Sequence, residues 1–308
     1  MNKYIKFAVL GVLSWALGAC SDDLERDPSP TVSPDCVGVY FSESNTYNYE
    51  LDPAITSLTL TVGRDKTDGA VTVSVKVINN SNNVFVIPES VSFAAGEAET
   101  TMVVTFPNAE MGVEYSFELT FDSDYVNPYK GASLAKTSIQ RIKWESIGMG
   151  VYVDGTVSTF FGVSPMAVGI EIEKADLGSS MKYRFNNAYA PAEYYISRDP
   201  VIYDGYPYNE TFLGERQFVL TSTIDGVTMQ VAKTGLNLGY GEMIIGTVYG
   251  NLSNDIKTYP LGTIANDVIT FPANSLFIQD NDGAAPASKN PTKLYLSIDV
   301  YKASLTAE

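Results

Sequence analysis

The feature that most constrains this fold is a two-residue period of apolar side chains, which begins at Val37. Apolar and polar residues alternate in TSLTLTVG, AVTVSVKVI and VEYSFELTF, and clusters of Asp, Asn, Gly and Ser separate such segments. Successive side chains of a strand point to opposite faces, so this period indicates strands with one buried face. About seven or eight short segments of this kind predict an antiparallel sandwich over residues 37–142, without a helix.

The pattern continues after Trp144, which we take as the domain boundary. Further strands are predicted for AVGIEIEKA, MKYRFNN, MIIGTVYG, DVITFPA and the terminal KLYLSIDVY. The clearest hairpin signal is FVLTSTI and VTMQVA on either side of Asp225-Gly226, because Asp-Gly favours a two-residue turn. The sequence therefore predicts an all-β protein of two consecutive antiparallel domains, the second (143–308) a β-sandwich or a partly closed barrel.

The N-terminal segment predicts secretion. Lys3 and Lys6 precede an apolar run from Phe7 to Ala19. This run is too short to cross about 30 Å of hydrocarbon as a helix, and its basic start and small final residues are typical of a signal peptide. We therefore expect residues 1–19 to be removed.

The end of this segment, Leu17-Gly18-Ala19-Cys20, resembles the lipobox of bacterial lipoproteins. The resemblance implies cleavage before Cys20 and its acylation, so that outer-membrane lipid is a partner of the protein. Ser21, Asp22 and Asp23 resemble the acidic export signal of Bacteroidetes surface lipoproteins, which implies a location on the outer face of the outer membrane. Residues 20–36 are rich in Pro and read as an extended tether. The alternative is an ordinary signal peptide with an incidental Cys.

The charge of the chain limits the classes of ligand that it can bind, and its cysteines limit the disulfides that it can form. The net charge is −16, and removal of residues 1–19 with their two lysines leaves −18. Such an acidic protein repels nucleic acid and anionic headgroups, so neither is an expected ligand. Lipidation of Cys20 leaves Cys36 without a partner in the chain, so no intramolecular disulfide is expected. Cys36 is expected to be the last residue of the tether.

The chain contains no histidine. This excludes a Ser-His-Asp triad, an HExxH zinc site and any His metal cluster. Ser133–Lys136 matches S-x-x-K and Lys233–Gly235 matches K-T-G, as in penicillin-binding enzymes. The first motif lies in a predicted strand and no S-D-N follows it, so we reject this interpretation. No cofactor is predicted.

One motif resembles the Calx-β-like modules of bacterial surface proteins. Phe93-Ala94-Ala95-Gly96-Glu97 matches their F-x-x-G-E turn, and the strand YSFELTF follows. The resemblance covers residues 37–142 and implies a Calx-β-like or Ig-like sandwich with Gly96 in a tight turn. Calcium-binding members carry an acidic cluster where this chain has Pro107–Gly112 with one carboxylate, so calcium is not implied.

Three segments, 183–189, 234–242 and 267–276, resemble a largely uncharacterised C-terminal module of Bacteroidetes surface lipoproteins. The resemblance implies a location and an architecture rather than an activity. Many such proteins are thought to serve glycan capture, so glycan is the expected ligand class.

The candidate ligand site is a Tyr-rich segment, 189–212, that Pro and Gly residues interrupt. Aromatic rings stack on the C–H faces of sugars, and neighbouring polar groups bind the hydroxyls. The predicted ligand-binding residues are Tyr189, Tyr194, Tyr195, Arg198, Tyr203, Asp204, Tyr206, Tyr208 and Asn209. Alternatively, these rings cover the open end of a β-sandwich. Two acidic clusters, Asp122–Asp124 and Asp280–Gly283, are interpreted as turns rather than calcium sites.

The predicted function is therefore a non-catalytic, lipid-anchored surface protein that binds glycan. The first alternative is a fimbrial or scaffold subunit that contacts other cell-surface proteins, with KLYLSIDVYKASLTAE as a donor strand. The second is a glycoside hydrolase with a carboxylate pair drawn from Asp199, Asp204 and Glu210.

Overall fold

The structure is a computed structural model that describes residues 29, 31–34, 36–189, 216–237, 241–280, 283–287 and 289–307. The predicted signal peptide, Cys20 and most of the tether lie outside these residues. The described chain is built almost wholly of strands in mainly antiparallel sheets, which confirms the predicted fold class. None of the described helices combines the length and the apolar character of a membrane span.

The first domain contains eight strands in its described residues. They are β1 (Val39–Phe41), β2 (Asn48–Leu51), β3 (Ser57–Arg64), β4 (Val71–Asn80), β5 (Ser90–Phe93), β6 (Glu99–Thr105), β7 (Glu114–Phe121) and β8 (Leu134–Arg141). One sheet has the order β1-β3-β6, and the other has the order β2-β8-β7-β4-β5. The inward residues of both sheets form one hydrophobic core. All pairs are antiparallel except β2 and β8, which run parallel.

The F-x-x-G-E turn connects the two sheets, because β5 pairs with β4 while β6 pairs with β3. Gly96 has a φ of +83°, as predicted for a tight turn. The side chain of Arg64, only 3% exposed, holds this turn against the turn after β3. Its guanidinium donates to the carbonyl oxygens of Glu97, Gly69 and Ala94, each at 2.7 Å.

Cys36 is buried, with an exposed fraction of 5%, and it is a free thiol. The backbone N–H of Gly38 points to its sulfur at 3.4 Å. The last residue of the predicted tether therefore packs on the first domain instead of extending into solvent, because its side chain is small and apolar enough to enter the core.

The second domain contains two helices and twelve strands in its described residues. The helices are α1 (Thr156–Phe161) and α2 (Ile298–Thr306). The strands are β9 (Glu145–Val153), β10 (Ala167–Asp176), β11 (Met181–Asn186), β12 (Gln217–Thr223), β13 (Gly226–Met229), β14 (Ala232–Asn237), β15 (Glu242–Thr247), β16 (Thr263–Ala265), β17 (Val268–Phe271), β18 (Leu276–Asp280), β19 (Gly283–Ala287) and β20 (Thr292–Tyr295).

Eight of these strands form a sheet that nearly closes on itself. Its order is β13-β12-β11-β10-β9-β20-β17-β16. Val227 on β13 and Gly262 just before β16 exchange two backbone hydrogen bonds, at 2.8 and 2.9 Å, and so bring the two edges together. The sheet β14-β15-β18-β19 and helix α1 contribute to the same core. The prediction of a partly closed barrel is therefore confirmed.

The predicted hairpin is confirmed, since β12 and β13 pair with Thr223 opposite Gly226. The C-terminal prediction is wrong in part. Only the first three residues of KLYLSIDVY lie in a strand, β20 (Thr292–Tyr295), and helix α2 follows it. Ser297 caps this helix by accepting a hydrogen bond from the backbone N–H of Val300 at 3.2 Å, which favours a helix start at this position. The segment proposed as a donor strand is therefore mostly helical.

Candidate functional site

The candidate site lies where the two domains meet. Strands β2 and β8 of the first domain end there, and the chain passes through Trp144 into β9. Strands β10 and β11 of the second domain present their outward side chains to the same place. Glu173 on β10 lies directly opposite Arg184 on β11. Cross-strand neighbours of opposite charge stabilise each other at such a position.

Glu173, Arg184 and Trp144 form one stacked unit. The Arg184 Nε donates to Glu173 Oε2 at 2.6 Å, and the guanidinium carbon lies 4.3 Å from the centre of the Trp144 ring. A cation over an indole face contributes about 0.5–2 kcal/mol, depending on its exposure. Because the guanidinium is held by both partners, its position is set before any ligand arrives.

A cavity of about 560 Å³ opens on the first-domain side of this unit. We name it the junction cleft. Its walls come from both domains and are mostly polar or charged, with the Trp144 ring among them. The lining residues are Glu50, Leu51, Asp52, Pro53, Ile142, Lys143, Trp144, Glu173, Arg184 and Gln217.

A second cavity, of about 600 Å³, lies along the outer face of β10 and β11. We name it the sheet cleft. It is lined by Val168, Gly169, Ile170, Glu171, Glu173, Arg184, Phe185, Asn186 and Asn187. Glu173 and Arg184 border both cavities, so the two clefts adjoin, and together we call them the junction groove. Each cleft has the volume of an ordinary small-ligand site.

Asn186, which lines the sheet cleft, carries one buried atom without a partner. Its side-chain oxygen is buried and accepts no hydrogen bond from the described residues. A buried acceptor without a donor costs about 1–3 kcal/mol.

The other charged side chains at the groove are already paired. Lys182 of β11 forms an ion pair with Glu50 of β2, which also joins the two domains. Lys143 lies 2.7 Å from Glu145, and this hydrogen bond raises the pKa of Lys143 and lowers the pKa of Glu145. Asp52 accepts the backbone N–H of Ala54 at 2.9 Å.

A second contact fixes the domains near the groove. Gly112 of the first domain packs against Leu177 of the second, so closely that a β-carbon at Gly112 would lie 3.1 Å from the Leu177 Cα. The Gln140 side-chain nitrogen donates to the Gly112 carbonyl at 2.7 Å and holds this loop. The groove therefore has walls from two domains that touch at more than one point.

Tyr189 is the only predicted ligand-binding residue within the described residues. It is 1% exposed and belongs to the core of the second domain. Its hydroxyl donates to Asp154 Oδ1 at 3.0 Å and lies 2.9 Å from the Tyr152 hydroxyl. Its ring is therefore unavailable for stacking on a ligand, because the ring is buried in the core and the hydroxyl is already bonded to Asp154 and Tyr152. This position matches the alternative of a covered core.

Asp154 is the centre of this buried polar cluster. Its carboxylate accepts the backbone N–H groups of Thr156, Val157 and Ser158 at the start of α1, at 3.2, 3.1 and 2.7 Å. Burial raises the pKa of Asp154 above its usual 3.8, while these donors and the Tyr189 hydroxyl act in the opposite direction. The cluster anchors α1 and is a structural feature of the core.

The remaining predicted ligand-binding residues lie outside the described residues. They are Tyr194, Tyr195, Arg198, Tyr203, Asp204, Tyr206, Tyr208 and Asn209. The flanking residues are described: the Asn187 N–H donates to the Arg216 carbonyl at 2.9 Å, and the Arg216 N–H donates to the Asn187 side chain at 3.0 Å. The segment thus leaves and rejoins the fold next to the sheet cleft, which Asn187 lines.

The first predicted acidic turn is confirmed, and the second is described only at its two ends, Asp280 and Gly283. Asp122 caps a short 3-10 turn and accepts a hydrogen bond from Lys76 at 2.9 Å, which lowers the pKa of Asp122. Gly283 donates to the Asp280 side chain at 3.3 Å, and residues 281 and 282 lie outside the described residues. The described residues contain no group of three or more acidic or Cys side chains suited to a metal ion.

Sequence reasoning did not identify Glu173 and Arg184 as site residues. The alternation in EIEKA and MKYRFN does place these residues on the outer face of their strands. It does not show that β10 pairs with β11 in the register that opposes Glu173 to Arg184, because register depends on the whole sheet.

Comparisons with known proteins give no family. No family model and no curated protein matches the chain. Similar solved structures include a proposed carbohydrate-binding protein of Bacteroides ovatus, at 13% identity and a TM-score of 0.27, covering 82% of this chain and 100% of that chain.

The calcium binding domain CBD12 of CALX1.1 is 12% identical with a TM-score of 0.28, covering 54% of this chain and 88% of that chain. An auxiliary nutrient binding protein of Bacteroides thetaiotaomicron is 12% identical with a TM-score of 0.22, covering 77% of this chain and 80% of that chain. Identities and TM-scores as low as these allow no conclusion about the site. Its own residues define the class, an all-β protein of two domains with a polar groove at their junction.

Proposed function

We propose that this protein is a non-catalytic, lipid-anchored binding protein of the outer cell surface, and that its ligand is a glycan held in the junction groove. The observation that carries the proposal is the groove with the Trp144–Arg184–Glu173 unit at its centre. An indole ring offers a flat apolar partner for a sugar, and the charged pair beside it offers donors and acceptors for hydroxyls.

The shape of the groove supports an extended ligand. Two cavities of about 560 and 600 Å³ share one wall, so the site is longer than a single monosaccharide needs. The Tyr-rich segment rejoins the fold at Arg216, beside the sheet cleft, and the proposal includes its tyrosines as further stacking partners. The lipobox at Cys20 supports the location, since several acyl chains anchor a protein firmly.

A binding role suits the described carboxylates of the groove better than hydrolysis. Glu173 is paired with Arg184 and Glu50 with Lys182, while Asp52 caps a turn. A glycosidase needs one carboxyl group that keeps its proton and a second that acts as base or nucleophile. Ion pairing with a cation favours the charged form of a carboxyl group and so opposes the first of these roles.

The test is a binding assay against neutral polysaccharides, namely mannan, galactan, xylan and starch, by affinity electrophoresis or calorimetry. We expect at least one to bind, and we expect Trp144→Ala to weaken that binding by about tenfold or more, since stacking on the indole is lost.

The matched control is Tyr129→Ala. This ring is 60% exposed, and it lies before the start of β8, whereas the groove lies at the other end of that strand. Its loss should leave the affinity unchanged. Absence of binding to every polysaccharide, or equal effects of the two substitutions, would argue against the proposal.

A further inference from the structure

We infer that the junction groove selects neutral, hydroxyl-rich sugars and rejects sugars that carry a carboxylate or a sulfate. The inference rests on the proposed function and specifies the ligand class of the same site. It is carried by the pairing of the cations at the groove and by the excess of carboxylates among its lining residues.

Arg184 is the cation that an acidic sugar would need. Its charge is balanced by Glu173 at 2.6 Å, and its guanidinium face is covered by Trp144 at 4.3 Å. Its two terminal amino groups make no hydrogen bond with the described residues, so they remain donors at the border of both clefts. The pair therefore offers N–H donors and carboxylate acceptors side by side. A hydroxyl group uses both kinds of partner, whereas an anion uses only the donors and is repelled by Glu173.

The rest of the groove is acidic. Carboxylates outnumber cations among the lining residues: Glu50, Asp52, Glu171 and Glu173 against Lys143 and Arg184. Lys143 is engaged with Glu145, and the nearby Lys182 is engaged with Glu50. The whole chain carries −16. An anionic ligand would meet like charge both at the site and on approach.

The experiment compares oligosaccharides that differ only at carbon 6. Mannan oligosaccharides are paired with mannuronate oligosaccharides, and galactan oligosaccharides with galacturonate oligosaccharides of the same linkage. We expect the wild-type protein to bind the neutral member of a pair at least about tenfold more tightly than the acidic member.

Glu173→Gln removes the charge that balances Arg184 and keeps the shape of the side chain. We expect this substitution to reduce the ratio of the affinity for the neutral member to the affinity for the acidic member by about tenfold. We also expect it to make the binding of the acidic member sensitive to salt. Glu118→Gln is the matched control. Glu118 on β7 also forms an ion pair with a cation on the neighbouring strand, Lys136 on β8 at 2.9 Å, but this pair lies in the first domain. This control removes the same charge from the chain and should leave the preference for the neutral oligosaccharide unchanged.

The outcomes separate the two claims. Wild-type protein that binds the acidic members as tightly as the neutral ones overturns the inference and leaves the proposed function intact. A neutral preference that survives in Glu173→Gln as fully as in Glu118→Gln also overturns it, because the preference would then not depend on Arg184 being neutralised. Absence of binding to both members of every pair overturns the inference, and it contradicts the proposed function as well when xylan and starch also fail to bind.

Discussion

At the scale of single residues, the buried charged groups of this protein are satisfied mainly by the backbone. Arg64 donates to carbonyl oxygens of two turns, and Asp154 accepts three N–H groups of α1. Buried charges are costly unless such partners surround them. Both residues are therefore structural, in contrast to Glu173 and Arg184, which are paired but border a groove.

The role of Tyr189 can be tested through stability. Tyr189→Phe removes a donor from the buried Asp154 carboxylate, so we expect a loss of about 2 kcal/mol in the free energy of unfolding near neutral pH. Tyr115→Phe is the control, because Tyr115 is also a buried residue but its hydroxyl makes no hydrogen bond with the described residues, so its loss should cost little.

The effect of Tyr189→Phe should depend on pH. Because the pKa of Asp154 is raised in the folded protein, its contribution to stability falls as the pH rises from the usual 3.8 through the raised value. Loss of the Tyr189 donor raises this pKa further, so the variant loses more stability at neutral pH than at acidic pH. Urea unfolding of both proteins across this range measures the difference. A loss that is the same at every pH would show that the hydroxyl does not act on the carboxylate.

At the scale of strands and sheets, the sequence predicted what depends on local pattern. Alternation in VEYSFELTF and the Asp225-Gly226 signal identified β7 and the β12–β13 hairpin, because side-chain period and turn chemistry are properties of neighbouring residues. The contact between Val227 and Gly262 joins strands far apart in the chain, so no local pattern reveals it. Helix α2 was missed because LYLSIDVY also alternates.

Gly226 is the residue on which both the hairpin and the edge contact depend. It has a φ of +142°, and an added β-carbon would lie 2.8 Å from the Leu261 Cβ and 2.9 Å from the Gly262 carbonyl oxygen. We expect Gly226→Ala to lower the free energy of unfolding by about 1–3 kcal/mol, since it adds strain and overpacking.

Gly69→Ala is the control for this substitution, since nothing lies within 4 Å of its β-carbon position and its φ is not in the left-handed region. Its effect on stability should be small. Denaturant unfolding measures both variants, and equal losses would contradict the role of Gly226 in closing the sheet.

At the scale of the whole molecule, the junction cleft exists only because two domains meet. The junction cleft takes walls from both, and the pair of Glu50 with Lys182 and the packing of Gly112 on Leu177 hold them together. Sequence reasoning predicted both domains and took the Tyr-rich segment as the candidate site, and most of that segment lies outside the described residues. A site formed between domains has no contiguous sequence motif, and Trp144 was interpreted as a boundary marker.

The proposed lipid anchor also belongs to the scale of the whole molecule. We expect Cys20→Ser to abolish labelling by radioactive palmitate and to release the protein from the membrane fraction, since the acyl chains supply the anchor. Cys36→Ser is the control: because Cys36 is a buried thiol, its substitution should leave labelling intact. Full labelling of the Cys20 variant would contradict the lipoprotein assignment.

The central claim is that a glycan binds beside Trp144. The chain has two tryptophans, and Trp15 lies in the predicted signal peptide, so Trp144 is the sole tryptophan of a protein that begins at Cys20. Titration of that protein with a neutral oligosaccharide, followed by tryptophan fluorescence, therefore reports on the groove alone. We predict a saturable change in emission at the concentrations where calorimetry detects binding. Binding by calorimetry with unchanged emission would place the ligand elsewhere and contradict the claim.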